Sequence, residues 1–246
     1  MLKKSGLPVL GLLLLGSPSF ASAGDHLTLQ QSTLGNGNQT WTTEQIGDRL
    51  TDRHTDYTLA WRKESRSGLN ASSVQVGATF KQRSGDWRVL AGSGWGGGWL
   101  AREKVGVGYT APTYKGSVHL DIGYAHYAGS LSVTHFSAGE SYYWPHFRAY
   151  VALSVYRQTG IPSAWTWGTQ GTLTYYSPYG HLNLSGGEGL VANLATQPLS
   201  RDWAASLWWS KRLTPTWRII PALQFFHEQG QASFWGETLT LVYRFE

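Results

Sequence analysis

The chain has no cysteine and a single methionine, and Asp, Glu, Lys and Arg together make up only 14% of its 246 residues. Without cysteine there can be no disulfide framework, no thiol catalysis and no zinc–thiolate centre. Long apolar runs are also scarce. The stretch from Leu7 to Leu15 falls far short of the ~20 residues a membrane-spanning helix needs. The histidines make no H-x-x-x-H or H-E-x-x-H pattern, and Gly96-Gly97-Gly98 lacks the Lys-Ser/Thr of a phosphate loop, so no metal or other cofactor is expected. Losing Lys3 and Lys4 with a leader would lower the formal net charge of +5 to about +3, too little and too dispersed for a nucleic-acid partner.

The N-terminus has the parts of an export signal. Lys3 and Lys4 precede the apolar run, Ser17-Pro18-Ser19-Phe20 breaks it, and Ala21-Ser22-Ala23 is a small-x-small cleavage site. The expected division is therefore a signal peptide over 1–23 and one mature domain over 24–246. That domain is rich in glycine, tryptophan and tyrosine and carries short segments that alternate in polarity. Such a pattern in an exported chain points to an all-β fold, a transmembrane antiparallel β-barrel in the outer membrane of a Gram-negative bacterium. A secreted β-sandwich or propeller is the alternative that the leader alone would allow.

The last strand argues for the barrel. Leu239, Leu241, Tyr243 and Phe245 fall on one face, and Thr238, Thr240, Val242 and Arg244 on the other. Large apolar groups on one face and small or polar ones on the other suit a strand between lipid and a lumen. These four residues are the expected assembly signal, read by the barrel-assembly machinery, with outer-membrane lipids as the surrounding partner. Glu246 follows Phe245, so the aromatic is penultimate.

Alternation and turn chemistry mark fourteen strands, over 26–34, 39–49, 55–65, 72–83, 86–95, 99–111, 116–128, 130–143, 146–157, 164–177, 180–187, 201–213, 216–228 and 232–245. A weak first or eleventh strand would reduce the number to twelve. The connections alternate between tight ones, such as Ser84-Gly85-Asp86 and Ser177-Pro178-Tyr179-Gly180, and longer ones. The longer class comprises Ser65–Ala71, Gly92–Gly98, Thr159–Ser163 and Gly186–Asp202. Outer-membrane barrels keep short turns in the periplasm and long loops outside, so both termini are expected at the periplasmic end. Trp41, Trp87, Trp165, Trp203 and Trp217 lie near strand ends, where rings settle at headgroup level. Trp95 and Trp99 could instead stack on sugar.

By the same alternation Arg62, Gln75, Lys81, Arg88, His119, Asp121, Arg148, Gln170, Arg218 and Gln224 face inward and would line a lumen. They either bracket a path for a neutral or anionic solute or brace the interior through ion pairs. A catalytic alternative rests on His135, Ser137 and Glu140. Residues two apart on a strand share a face, so imidazole could activate the hydroxyl and a carboxylate could orient the ring. The His135-Phe136-Ser137 spacing is similar to the H-x-S of PagL-type lipid A deacylases. Ala138 stands where that family has asparagine, and Glu140 is only three residues past the serine.

A broader likeness extends over most of the mature chain. Gly123-Tyr124-Ala125-His126-Tyr127 is followed by Val151 to Arg157, Gly168 to Tyr176, Leu184-Ser185-Gly186-Gly187-Glu188-Gly189 and the closing Leu241-Val242-Tyr243-Arg244-Phe245. Together they resemble the YaiO-type outer-membrane β-barrel family. The resemblance implies a non-enzymatic barrel serving surface-glycan or exopolysaccharide export, envelope organisation or limited permeation, with a surface polysaccharide as partner, and it carries no catalytic residues over.

Overall fold

Strands that alternate apolar with polar cannot leave an edge unpaired in hydrocarbon, because each free N–H or C=O there costs several kcal/mol. The computed structural model describes residues 25–37, 39–66, 68–128, 131–159, 164–191, 200–228 and 233–245, and within them the edge is removed by closure. The strands are β1 (His26–Gly35), β2 (Thr40–Thr51), β3 (Thr55–Arg66), β4 (Leu69–Gln82), β5 (Gly85–Gly96), β6 (Glu103–Thr113) and β7 (Gly116–His126). They continue as β8 (Ser132–Tyr143), β9 (Phe147–Thr159), β10 (Ala164–Ser177), β11 (Gly180–Val191), β12 (Ser200–Arg212), β13 (Trp217–Glu228) and β14 (Phe234–Arg244). Each pairs antiparallel with its neighbours in sequence, and β1 closes on β14 from His26↔Arg244 to Gly35↔Trp235. The result is a fourteen-stranded closed barrel. Residues 1–23, the expected signal peptide, and Glu246 lie outside the described residues.

The register assigns every side chain to a face. Leu29, Ile46, Leu59, Val76, Ile122 and Leu153 are among the large apolar residues that remain exposed, and they all lie on the outer surface. The alternate positions carry the buried polar groups, including Asp56, Glu64, Ser141, Asn183 and Ser206. This is a globular protein turned inside out, as a barrel in lipid requires. Trp87–Tyr109, Trp217–Tyr243 and Trp203–Phe225 pair across neighbouring strands on the outer face, with ring centroids 4.5–4.9 Å apart.

Several details depart from the expectations drawn from the sequence, and the expected loops Gly92–Gly98 and Gly186–Asp202 are shortened because β5 runs to Gly96, β11 to Val191 and β12 starts at Ser200. Ser65–Ala71 is not a loop: β3 runs to Arg66 and β4 starts at Leu69, because polar strand ends above the lipid still gain by pairing. Strand β6 begins at Glu103 rather than 99, since residues 97–102 turn into the barrel and bury Trp99. Trp41 is no girdle residue. It faces inward, is 4% exposed, and stacks on Phe234 with centroids 4.1 Å apart.

Strand β13 carries Pro221. Proline has no N–H to give to a ladder, and the β12–β13 pairing passes from Trp208↔Ala222 directly to Lys211↔Ile219. Pairing to β14 continues through Pro221↔Leu239. A cavity of about 630 Å³ opens at this place, lined by outward residues such as Leu182, Leu207, Trp209, Pro221 and Leu223 and by the inward Ser32, Trp208, Ala222 and Thr238.

Candidate functional site in the barrel interior

Three groups of side chains occupy the interior, one at each end and one between. The group at the loop end is built on β3, whose alternation brings Arg62, Glu64 and Arg66 to the same inward face. Glu64, 1% exposed, is ion-paired with Arg62 at 2.6 Å and accepts a hydrogen bond from Arg66 at 2.8 Å. Its Oε2 also accepts from the indole Nε1–H of Trp99 at 3.0 Å. The Arg66 guanidinium lies between two indole rings, 5.0 Å from the centroid of Trp41 and 5.2 Å from that of Trp99. Trp41 in turn packs with Phe226, Phe234 and Ala204. A carboxylate with two guanidiniums is thus sealed under aromatic groups, where breaking one partner leaves the others buried and uncompensated.

Gly97 makes this arrangement possible. A Cβ on it would lie 2.0 Å from the Trp99 ring, closer than atoms can approach, so only glycine lets the connection fold over that tryptophan. Gly97 N–H donates to Asn70 O, anchoring the connection to β4.

The middle group contains an ion pair and a hydroxyl–imidazole network. Arg88 on β5 donates to Asp121 on β7 at 2.5 Å, over Gly108 between them. The His119 Nδ1 is 3.1 Å from Thr110 Oγ1, and its Nε2 lies within 3.0 Å of both Ser117 Oγ and Ser141 Oγ. Arg148 donates to the same Ser141 hydroxyl at 3.1 Å. Polar pairs continue around the wall through Ser137–Ser154, Thr172–Ser185 and Thr174–Asn183. Such ladders satisfy the interior hydroxyls and stiffen the wall.

At the end that carries the chain termini, charge is distributed unevenly. On one arc Asp56 is paired with both Arg49 and Lys81, the latter at 2.6 Å. On the neighbouring arc, separated from it only by β1, Arg212 and Arg218 face one another across β12 and β13, and Arg244 follows on β14 beside His26 of β1.

The residues singled out from the sequence are spread along this interior. Arg62, Gln75, Lys81, Arg88, His119, Asp121, Arg148, Gln170, Arg218 and Gln224 all occupy inward register positions. They form no single pocket: Arg88 meets Asp121, Arg148 reaches the His119 network through Ser141, and Arg62 joins Glu64. His135 and Ser137 also face inward, away from the lipid side that a lipid A-modifying centre would need. The His135 ring lies over Gly123, where a Cβ would come within 2.2 Å of it, and near Tyr156. The Ser137 hydroxyl accepts from Ser154 Oγ at 3.0 Å. Glu140 projects from the other face, where it accepts from Tyr142 at 2.7 Å, so it does not orient His135. Leu239 is exposed on the outer face, and by alternation Leu241, Tyr243 and Phe245 follow it on the strand that meets β1.

Glu64, Arg66, Arg49, Asp56 and Arg212 escaped the sequence reading, and Trp99, expected to stack on sugar, is instead buried against Glu64. The i, i+2, i+4 spacing of Arg62, Glu64 and Arg66 could have revealed the first two. Trp99 could not be found that way, because it belongs to no strand.

No protein-family model and no curated protein sequence matches the chain. Solved structures do match in fold. A monoaromatic hydrocarbon channel, CymD, superposes with a TM-score of 0.65 at 10% identity, covering 91% of this chain and 89% of that one. A bacterial polysaccharide outer membrane secretin gives 0.58 at 8% identity, covering 91% and 99%. The anion-selective porin from Comamonas acidovorans gives 0.52 at 10% identity, covering 90% and 98%. The chain is a closed fourteen-stranded outer-membrane β-barrel, similar in fold to these proteins, with a Gram-negative outer membrane as its location.

Proposed function

We propose that this barrel is a non-enzymatic, limited-permeation protein for anionic solutes, serving surface-glycan or exopolysaccharide export. The observation that carries this reading is the charge of the interior. Inward positions hold Arg49, Arg62, Arg66, Lys81, Arg88, Lys104, Arg148, Arg212, Arg218 and Arg244, against a shorter set of Asp56, Glu64, Asp86, Asp121 and Asp202. Rings of basic side chains favour anions by raising their local concentration in a low-dielectric channel. The YaiO-type resemblance supports the glycan part of the reading. The hydrocarbon channel, the polysaccharide secretin and the anion-selective porin indicate only how varied the cargo of this fold is.

Planar-bilayer recording tests the proposal. Purified barrel should open discrete conductances, and under a KCl gradient the reversal potential should have the sign of anion selectivity. A silent barrel, or a cation-selective one, would overturn it. For the glycan part, loss of the protein should reduce acidic surface polysaccharide while lipid A mass spectra stay unchanged.

A further inference from the structure

We infer that the outer wall formed by β14, β1, β2 and β3 docks against the same wall of a second copy of this chain. The two-fold axis of the dimer runs along the membrane normal between β1 and β2. The inference does not depend on what the lumen carries.

The case begins with polar side chains on the lipid side. The register turns Glu237, Gln31, Glu44 and Lys63 outward, on the same faces as the exposed Leu239, Leu29, Ile46 and Leu59. On β14 Glu237 lies between two aromatic levels. Trp235 packs on Phe225 with centroids 4.3 Å apart toward the loop end, and Tyr243 packs on Trp217 toward the termini. Glu237 is therefore inside the apolar belt, where lipid tails offer neither counter-charge nor donor and an ionised group is costly. Outward charges on other walls are held by neighbouring rings. Glu140 accepts from the Tyr142 hydroxyl at 2.7 Å, and Arg157 and Lys211 each lie 5.4 Å from an indole centroid. The side chains of Gln31, Glu44, Lys63 and Glu237 have no hydrogen bond or ion pair among the described residues. Across the barrel, β7 to β9 present Leu120, Ile122, Phe136, Val151 and Leu153 to the outside.

The polar residues of the seam wall complement one another under a two-fold, in which residue i meets j and j meets i. Gln31 is registered with Glu44, and Thr33 with Thr42. An axis between β1 and β2 brings Gln31 of each copy to Glu44 of the other, so the amide N–H donates to a carboxylate twice. Strands β14 and β3 flank that pair, and each β14 then faces β3 of the other copy. Lys63 stands three residues before the end of β3, and Glu237 three residues after the start of β14. They share a depth at the loop side, and opposite charges meet twice. Near the axis the small Thr33 and Thr42 let the walls approach, as small residues do between membrane segments. Away from it the convex walls part, and the longer Lys63 and Glu237 suit the wider gap. Asp48, three residues before the end of β2, meets no cation in this arrangement.

The cavity beside Pro221 gives an independent reason. Glu237, Leu239, Leu223 and Gln31 also line it. Trp61, outward on β3 opposite Ile46, is two residues from Lys63 just as Leu239 is two from Glu237. In the dimer Trp61 of one copy is therefore level with the hollow on the other and is placed to fill it, as an aromatic anchor fills a pocket. Four strands about 4.8 Å apart, each crossing the belt in roughly 10 residues, offer on the order of 600 Å² per copy, the lower bound of a specific interface.

Cysteine cross-linking tests the dimer in a chain that has no cysteine of its own. Lys63→Cys/Glu237→Cys cannot close within one barrel, because β1 and β2 separate β3 from β14 and a disulfide needs Cα atoms about 6 Å apart. Oxidation in outer membranes of cells expressing the full chain should give a dimer, and no larger species, on a non-reducing gel. Val151→Cys on the far wall should give monomer only. A charge swap adds a second readout, with unheated gels checking that each variant keeps the folded barrel. In mild detergent, ultracentrifugation should show Lys63→Glu weakening the dimer by about tenfold or more, because like charges then face each other twice. Lys63→Glu/Glu237→Lys should restore most of it. No cross-link, a ladder of larger species, or cross-linking of Val151→Cys to the same extent would overturn the interface. So would equal dimerisation of the parent and Lys63→Glu, a swap that restores nothing, a monomer with lipid bound on this wall, or a cross-link to a different protein.

Discussion

Glu64 concentrates more of the interior's electrostatics than any other single side chain described. It is buried, receives two guanidiniums and an indole N–H, and stands beneath Trp41 and Trp99. Glu64→Ala leaves Arg66, 3% exposed, without its counter-charge, and removal of one member of a buried ion pair costs about 3–5 kcal/mol. Denaturant unfolding of the barrel in lipid vesicles should show that loss, and Glu64→Gln, which keeps the shape and an acceptor, should lose less. Equal stability of Glu64→Ala and the parent would mean that water already compensates Arg66. His135 and Ser137 differ in kind. Each has its own partner, Tyr156 for the ring and Ser154 for the hydroxyl, and Glu140 is across the wall. Ser137→Ala should therefore leave lipid A unaltered in mass spectra of expressing cells, and deacylated lipid A that depended on Ser137 would restore the enzymatic reading.

At the scale of elements, the β5–β6 connection shows what strand periodicity conceals. A period of two reports which residues share a face of a strand, and it placed fourteen strands with boundaries mostly within a few residues of β1 to β14. It says nothing about a connection that folds back, so Trp99 read as the start of a strand and as a sugar-stacking candidate, although it is 3% exposed and bonded to Glu64. Trp41 misled in the same way, because a tryptophan near a strand end is equally at home in a girdle or against an interior aromatic such as Phe234. The inward polar residues were legible because alternation decides their face. Their partners were not, since Arg88–Asp121 and Arg49–Asp56 depend on which strands become neighbours and in what register. Gly97 offers the test at this scale. Gly97→Ala puts a methyl group into the Trp99 ring and should cost about 1–3 kcal/mol by overpacking. In a Trp99→Ala background the same change should cost almost nothing, a coupling that a double-mutant cycle would measure. Additive effects would show that Gly97 is needed for the backbone alone.

The whole molecule follows from one rule applied fourteen times, that apolar residues face lipid and polar residues face the lumen. Closure of β1 on β14 removes the last edge, and the interior then need not hold a hydrophobic core, which is why charge pairs and hydroxyl ladders can fill it. Neighbouring positions on one strand test the rule with the same chemistry. Val76 is exposed on the outer face of β4, and Gln75 is inward beside Ala60 and Gly92. Val76→Arg puts a guanidinium into hydrocarbon, at a cost of about 2–4 kcal/mol near the bilayer midplane. Gln75→Arg places it in a polar lumen, where Lys104 lies over the neighbouring Gly92, so it meets another cation but not hydrocarbon. Reversible unfolding in phospholipid vesicles should therefore show a large loss for Val76→Arg and a small one for Gln75→Arg. In cells the first should also lower the fraction that runs as folded barrel in an unheated gel, because the same desolvation is met during insertion. Equal losses at the two positions would mean that β4 does not separate lipid from lumen, and the assignment of faces to its neighbours β3 and β5 would fall with it.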